Sequence, residues 1–283
     1  MNLGGERESD NVEDRRGGGG GRIAVGGGLG TIAIVLIAML LGKNPSQLLN
    51  SINGGGAPTE QTAPQGPGAP SDEGKKFVSK VLHTTEDVWT KLFSDMGRTY
   101  QKPKLVLFTD GIESGCGNAS SSTGPFYCPL DSKVYIDLAF FNELATRFKA
   151  QGDFANAYVI AHEVGHHVQT LLGISEKVHQ LQEQSSEREA NQLSVRLELQ
   201  ADFYAGVWAH HAQEMKNILE AGDVEEALNA ASAIGDDKLQ KQAQGYVVPD
   251  AFTHGTSAQR VSWFKKGYET GDMKQGDTFG SDL

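Results

Sequence analysis

The chain has 283 residues, a net charge of −11 and 35 glycines, of which 17 fall in residues 1–70 together with five of the nine prolines. This composition suits one folded domain behind a Gly/Pro-rich front. The acidic balance excludes nucleic-acid partners, which demand clustered Lys and Arg, and two cysteines exclude a disulfide-dense miniprotein or a zinc ribbon.

In chain order, residues 1–22 read as a disordered cytoplasmic tail. Residues 23–42 carry no charge and end in an apolar run over 32–41. At about 1.5 Å per residue this length matches a hydrocarbon core of roughly 30 Å, so the stretch predicts a single transmembrane anchor. Arg15, Arg16 and Arg22 precede it and only Lys43 follows closely. The positive-inside rule then leaves the N-terminus cytoplasmic and residues 43–283 extracytoplasmic, periplasmic or extracellular. Residues 43–74 read as a Gly/Pro-rich tether, and residues 75–283 as the folded domain.

Within that domain, apolar residues at 77, 78, 81, 82, 88 and 92 predict a helix over 77–92. Lys104–Phe108 predicts a strand. Residues 111–130 form a Gly/Ser/Pro-rich loop holding Cys116 and Cys128. Outside the cytoplasm this pair favours a disulfide over two unpaired buried thiols. Closing that loop would stabilise the fold by about 3 kcal/mol. Residues 133–138 alternate, with Val134, Ile136 and Leu138 on one face, and predict a half-buried strand. From 139 to about 244 the pattern is helical, with breaks near Gly152, Gly173, Gly222 and Gly235. The expected class is α+β: a mainly helical domain with a small sheet, preceded by one transmembrane helix.

The chemistry concentrates on two stretches. Ala161-His162-Glu163-Val164-Gly165-His166 contains H-E-x-x-H. On a helix His162 and His166 lie one turn apart, so both imidazoles can face one tetrahedral metal. Glu163 is offset by about 100° and can reach a water beside that metal. Glu198-Leu199-Gln200-Ala201-Asp202 follows 32 residues after His166. Glu198 and Asp202 are again one turn apart, so one can ligate while the other braces a ligand histidine. A solvated acidic face is the plainer alternative, but Leu197, Leu199, Ala201, Phe203, Tyr204, Ala205 and Val207 make this stretch too apolar for it.

Longer matches accompany these motifs: Ser9 to Arg16, Ser114-Gly115-Cys116-Gly117, Gly124 to Pro129, Val134 to Asp137, His162 to Gln169, and Phe252 to Arg260. On these residues the chain resembles the neutral zinc metallopeptidases, bacterial membrane-anchored proteins of the zincin superfamily. The resemblance implies a zincin-like fold in which His162, His166 and Glu198 ligate one catalytic zinc and Glu163 is the general base. A glutamate as third ligand is the gluzincin arrangement, with Asp202 bracing from behind; no Gly-x-x-His continuation follows His166.

Other residues are weighed against these. The strand 133–138 is either a sheet edge that holds an extended peptide or an ordinary internal strand. His167, rotated from His166, reads as packing. His210 and His211, without a carboxylate at ligand spacing, read as surface residues. An oxyanion-stabilising donor can come from His254, Tyr246 or Arg260; His254, in a Gly/Thr/Ser-rich turn, leads, against a structural cap. Gly165 reads as keeping the cleft open between the histidines, and Asp223 to Gln244 as a lid or scaffold. Together these lead to a membrane-anchored zinc endopeptidase acting on polypeptides. The competing readings are a catalytically degenerate zincin serving as a binding or chaperone module, and a zinc amidase acting on a non-peptide cell-envelope substrate.

Overall fold

The computed structural model describes residues 1–16 and 72–280. A four-stranded sheet has the order β1-β2-β6-β5, formed by β1 (Val12–Asp14), β2 (Lys104–Phe108), β6 (Lys133–Asp137) and β5 (Phe126–Cys128). The first three run parallel and β5 pairs antiparallel with β6. Between β2 and β5 a hairpin of β3 (Gly111–Ser114) and β4 (Gly117–Ser120) stands apart from this sheet. Cys116 and Cys128 are joined and staple the hairpin turn to β5. Buried Val106, Phe108 and Tyr135 fill one sheet face; Leu105, Leu107, Val134 and Ile136 belong to the main core. That alternation is the period-2 signal seen over 133–138.

The helices supply most of the core. α1 (Asp72–Asp95) buries Val78, Val81, Leu82, Val88, Trp89 and Phe93. After the short α2 (Ala139–Thr146) come α3 (Asp153–Leu171), α4 (Ile174–Gln182) and α5 (Glu187–Lys216). α5 starts cleanly because Ser186 and Glu189 form a reciprocal capping box. With 30 residues it is about 45 Å long. Trp208 on α5 stacks on Phe154 of α3, and its indole N–H donates to Thr84 of α1. α6 (Asp223–Ala233), α7 (Asp236–Gln244) and α8 (Ser257–Thr270) complete the fold. α8 packs along α5, while α6 packs on α3 and α8.

Two expectations change here. Residues 1–16 are stitched into the domain and do not form a separate tail. β1 hydrogen-bonds to β2 in register Val12 to Leu105. Ser9 Oγ and Asn11 Nδ2 both donate to Glu86, whose side chain is buried on α1. The single transmembrane helix is therefore corrected. Among the described residues no helix is long and apolar enough to cross a membrane, and 23–42 lies outside the described residues. One crossing there would put a bilayer between β1 and the strand it pairs with. The stretch 43–71 of the expected tether is likewise outside the described residues, and 72–74 already belong to α1. The mainly helical composition with a small sheet stands.

Candidate active site

α3 carries the H-E-x-x-H residues and is buried on nearly every side over its second and third turns. α5 crosses it closely. A Cβ on Gly165 would stand 2.9 Å from the carbonyl oxygen of Ala201, so this glycine serves the helix crossing and does not open the cleft. The approach brings Glu198 and Asp202 onto the two histidines. His162 Nε2 lies 3.1 Å from Glu198 Oε2, and His166 Nε2 lies 3.3 Å from Glu198 Oε1. One ligand atom from each of the three residues falls within 4.8 Å of the others.

The far nitrogens are held in place. His162 Nδ1–H donates to Asp202 Oδ1 at 2.8 Å, since a carboxylate oxygen only accepts. Gln169 donates its amide to the Leu197 carbonyl, which turns Oε1 toward His166 Nδ1 at 2.9 Å. Both rings therefore present Nε2 to the same point. Asp202 is in turn fully buried and accepts from Tyr158 OH at 2.5 Å and from Arg260 Nε at 2.8 Å and Nη2 at 3.0 Å. This donor set fits zinc. Bonds of about 2.0–2.2 Å in a tetrahedron place ligand atoms about 3.3–3.5 Å apart, near the distances found, and braced imidazoles are the usual outer shell of such sites.

Charge is balanced across this cluster. Burial alone would lower His162, but Asp202 and then Glu198 reverse it and push it up to about 10. His166 is raised in the same way by Glu198, and the two rings hold Glu198 well below the usual carboxylate range against its burial. The carboxylates thus favour the protonated form of both rings in the metal-free site, and zinc competes with those protons. Zinc affinity is expected to rise by about tenfold per pH unit for each proton released between about pH 6 and 8. Competition titrations giving a flat affinity over that range would rule the linkage out.

The cleft beside this cluster has a volume of about 680 Å³ and is lined by Phe126, Tyr127, Phe140, Phe148 and Leu239 as well as the site residues. That size suits a ligand of several residues. Glu163 lines it, and its carboxylate makes no hydrogen bond among the described residues. His254 lines it too. Its Nδ1 faces Asp236 Oδ1 at 3.2 Å. The same buried carboxylate accepts from the backbone N–H groups of Thr253, His254 and Gly255. Burial lowers the His254 ring, but Asp236 and Glu198 outweigh it and raise it.

Of the alternatives to His254, Tyr246 is 61 % exposed and does not line the cleft. Arg260 is 2 % exposed and its guanidinium is committed to Asp202 and Tyr158. His167 packs: its ring nitrogens meet Tyr127 OH and the Gln101 carbonyl. Strand 133–138 is internal, flanked by β2 and β5, so the outer strand next to the cleft is β5. α7 supplies Asp236, and its Leu239 lines the cleft. Gln169 and Asp236 were missed from sequence. Gln169, three residues after His166 on the same helix face, was the readable signal; Asp236 gave none.

A buried His-Glu-x-x-His helix, crossed by a second helix that adds a carboxylate, gathers the donor set that suits a zinc ion. The chain belongs to the family described as "Putative neutral zinc metallopeptidase", matched over residues 1–279, and that family implies zinc. It is 53 % identical over 293 aligned positions to "Uncharacterized protein YpfJ" of Escherichia coli (strain K12), covering all of both chains. It is 40 % identical over 262 positions to "Uncharacterized protein Rv2575" of Mycobacterium tuberculosis (strain ATCC 25618 / H37Rv), covering 86 % of this chain and 85 % of that one. No solved structure matches the chain.

Proposed function

We propose that the chain is a zinc-dependent endopeptidase with one catalytic zinc ion held by His162, His166 and Glu198. The observation that carries this reading is the convergence of those three donors beside the Glu163 carboxylate, which makes no hydrogen bond among the described residues, in an open cleft. A purely structural metal site has no use for that carboxylate. Bound zinc supplies Lewis acidity, which polarises a carbonyl and makes water a competent nucleophile near neutral pH. Glu163 takes the proton of the attacking water and returns it to the leaving amine. Asp202 and Gln169 keep the two imidazoles oriented throughout. Asp236 accepts from His254 Nδ1–H, so His254 donates to the oxyanion from Nε2 as the imidazolium, the form that Asp236 and Glu198 favour.

Substrate binding follows from the cleft wall. β5 is the outer strand of its sheet, and Phe126 and Tyr127 line the cleft. This supports an extended peptide lying along β5, with apolar side chains received by the aromatic wall. The disulfide supports an extracytoplasmic, oxidising compartment for the domain. Recovery of both cysteines as free thiols under non-reducing isolation would count against that placement.

The test is digestion of casein and a mixed peptide library by the zinc-loaded chain, read by mass spectrometry. Internal peptide-bond cleavage is expected; no cleavage at full zinc occupancy overturns the reading. In the same assay His254→Ala is expected to lower kcat by about 100-fold with KM little changed. An unchanged kcat removes His254 from the mechanism.

A further inference from the structure

The last turns of α5 carry a second set of donors, roughly 20 Å along the helix from Glu198. The sequence reading found no carboxylate at ligand spacing from His210 and His211, but the structure sets Glu214 against both. His210 Nδ1 donates to the Tyr268 carbonyl at 2.7 Å, and His211 Nε2 donates to the Gly271 carbonyl at 2.9 Å. A carbonyl only accepts, so each bond fixes a proton on that nitrogen. In the neutral rings the lone pairs are then on His210 Nε2 and His211 Nδ1. Those two nitrogens are the ones that face Glu214: His210 Nε2 is 3.5 Å from Oε1 and His211 Nδ1 is 3.0 Å from Oε2. All three ligand atoms lie within 4.8 Å of one another.

Two lone pairs and a carboxylate facing one another repel unless a cation lies between them. Two other clusters with ligand spacing among the described residues are neutralised from within the chain. Lys216 Nζ reaches Glu6 at 2.7 Å and Asp87 at 2.9 Å beside His83. The Met1 ammonium reaches Asp153 at 2.7 Å and Asp223 at 3.2 Å. The cluster at 210–214 has no Lys, Arg or ammonium partner among the described residues. It shares two traits with the catalytic site: donor spacings near those of a zinc tetrahedron, and an outer acceptor on each imidazole. Gly271 makes the second brace attainable. It has φ 60°, and a Cβ there would come within 2.4 Å of His210 Cδ2.

We propose that His210, His211 and Glu214 form a second metal site, separate from the catalytic centre, that takes a borderline divalent transition-metal ion such as Zn²⁺. Two imidazoles and one carboxylate suit zinc and exclude calcium or magnesium, which demand oxygen ligands. The site fastens the end of α5 to the chain leaving α8, since the braces are the carbonyls of Tyr268 and Gly271.

Equilibrium dialysis of the full chain against Zn²⁺, with metal content measured by mass spectrometry, tests this. Wild type is expected to hold two equivalents, and H210Q/H211Q and H162Q/H166Q one each. Glu214, 60 % exposed in its side chain, can be changed without threat to folding. Glu214→Gln is expected to weaken the second equivalent by about 100-fold, with circular dichroism unchanged. A wild-type chain holding one equivalent that survives both H210Q/H211Q and Glu214→Gln overturns the proposal. A wild-type chain holding one equivalent that is lost in H210Q/H211Q upholds it and sinks the catalytic zinc instead.

Discussion

Glu163→Gln is expected to lower kcat by about 10³-fold or more while zinc content, KM and thermal stability stay at wild-type values. The substitution keeps the shape and removes only the basic oxygen, so the affected step is proton transfer to and from the reacting water. General-base catalysis is worth about 10²–10⁴-fold, and 10³-fold corresponds to about 4 kcal/mol of barrier. Glu163 is 8 % exposed and makes no hydrogen bond among the described residues. A structural penalty is therefore not expected, and a drop in kcat without a drop in stability is the signature of chemistry. Steady-state kinetics on one cleaved peptide, beside metal analysis of both proteins, measures it. If the variant keeps more than about a tenth of wild-type kcat, Glu163 is not the base. If both proteins hold zinc and neither cleaves any peptide, the binding-module reading replaces the enzyme.

The convergence of His162 and His166 was readable because its geometry is local. His162 and His166 share a helix face by the 3.6-residue period alone. The acids on α5 were readable because Leu199, Ala201 and Phe203 around them mark a buried helix, and buried acids need partners. The crossing itself was not readable. Gly165 looked like a cleft residue because nothing in its neighbours tells that Ala201 of another helix sits against it. Arg260 looked like an oxyanion donor for the same reason: its partner Asp202 is 58 residues away in the chain. Asp236 gathers a whole turn with one carboxylate, and no periodicity announces that.

The sheet shows the same division. Lys104–Phe108 and 133–138 were legible as strands from their apolar patterns, but order is a non-local property, and 133–138 proved internal. Val12–Asp14 was illegible as a strand. It has three residues, two of them acidic, and its order comes from backbone bonds to Leu105–Leu107 and from Lys104 and Lys133 reaching Glu13. Reading 23–42 as a single membrane crossing failed at this point. Hydropathy weighs the composition of a segment and cannot sense that the residues before it belong to the same sheet as residues a hundred positions later.

Arg260→Met is expected to be the most destabilising single change at the site's periphery. Arg260 and Asp202 are both buried, and the guanidinium is held in a two-nitrogen contact with that carboxylate. Removing one member of a buried pair costs about 3–5 kcal/mol, because the other is left without its counter-charge. For a domain of this size that is a fall in Tm of roughly 10 °C. The pH dependence follows from Asp202. Burial would raise its carboxyl, but Arg260 and then His162 overcome this and bring it down to about 2. Its stabilising contribution is therefore fully present above the ordinary carboxylate pKa near 3.9 and is lost as pH falls toward about 2. Without Arg260 only His162 is left to oppose the burial penalty, so the carboxyl rises and the loss begins at a higher pH. Asp202 also orients His162, so zinc affinity is expected to fall by about 10–100-fold together with stability. Thermal melts and zinc titrations of wild type and Arg260→Met at several pH values separate the two effects. A variant that melts lower but releases zinc at the wild-type pH would mean that Arg260 supports the fold alone and does not hold Asp202 for the metal site.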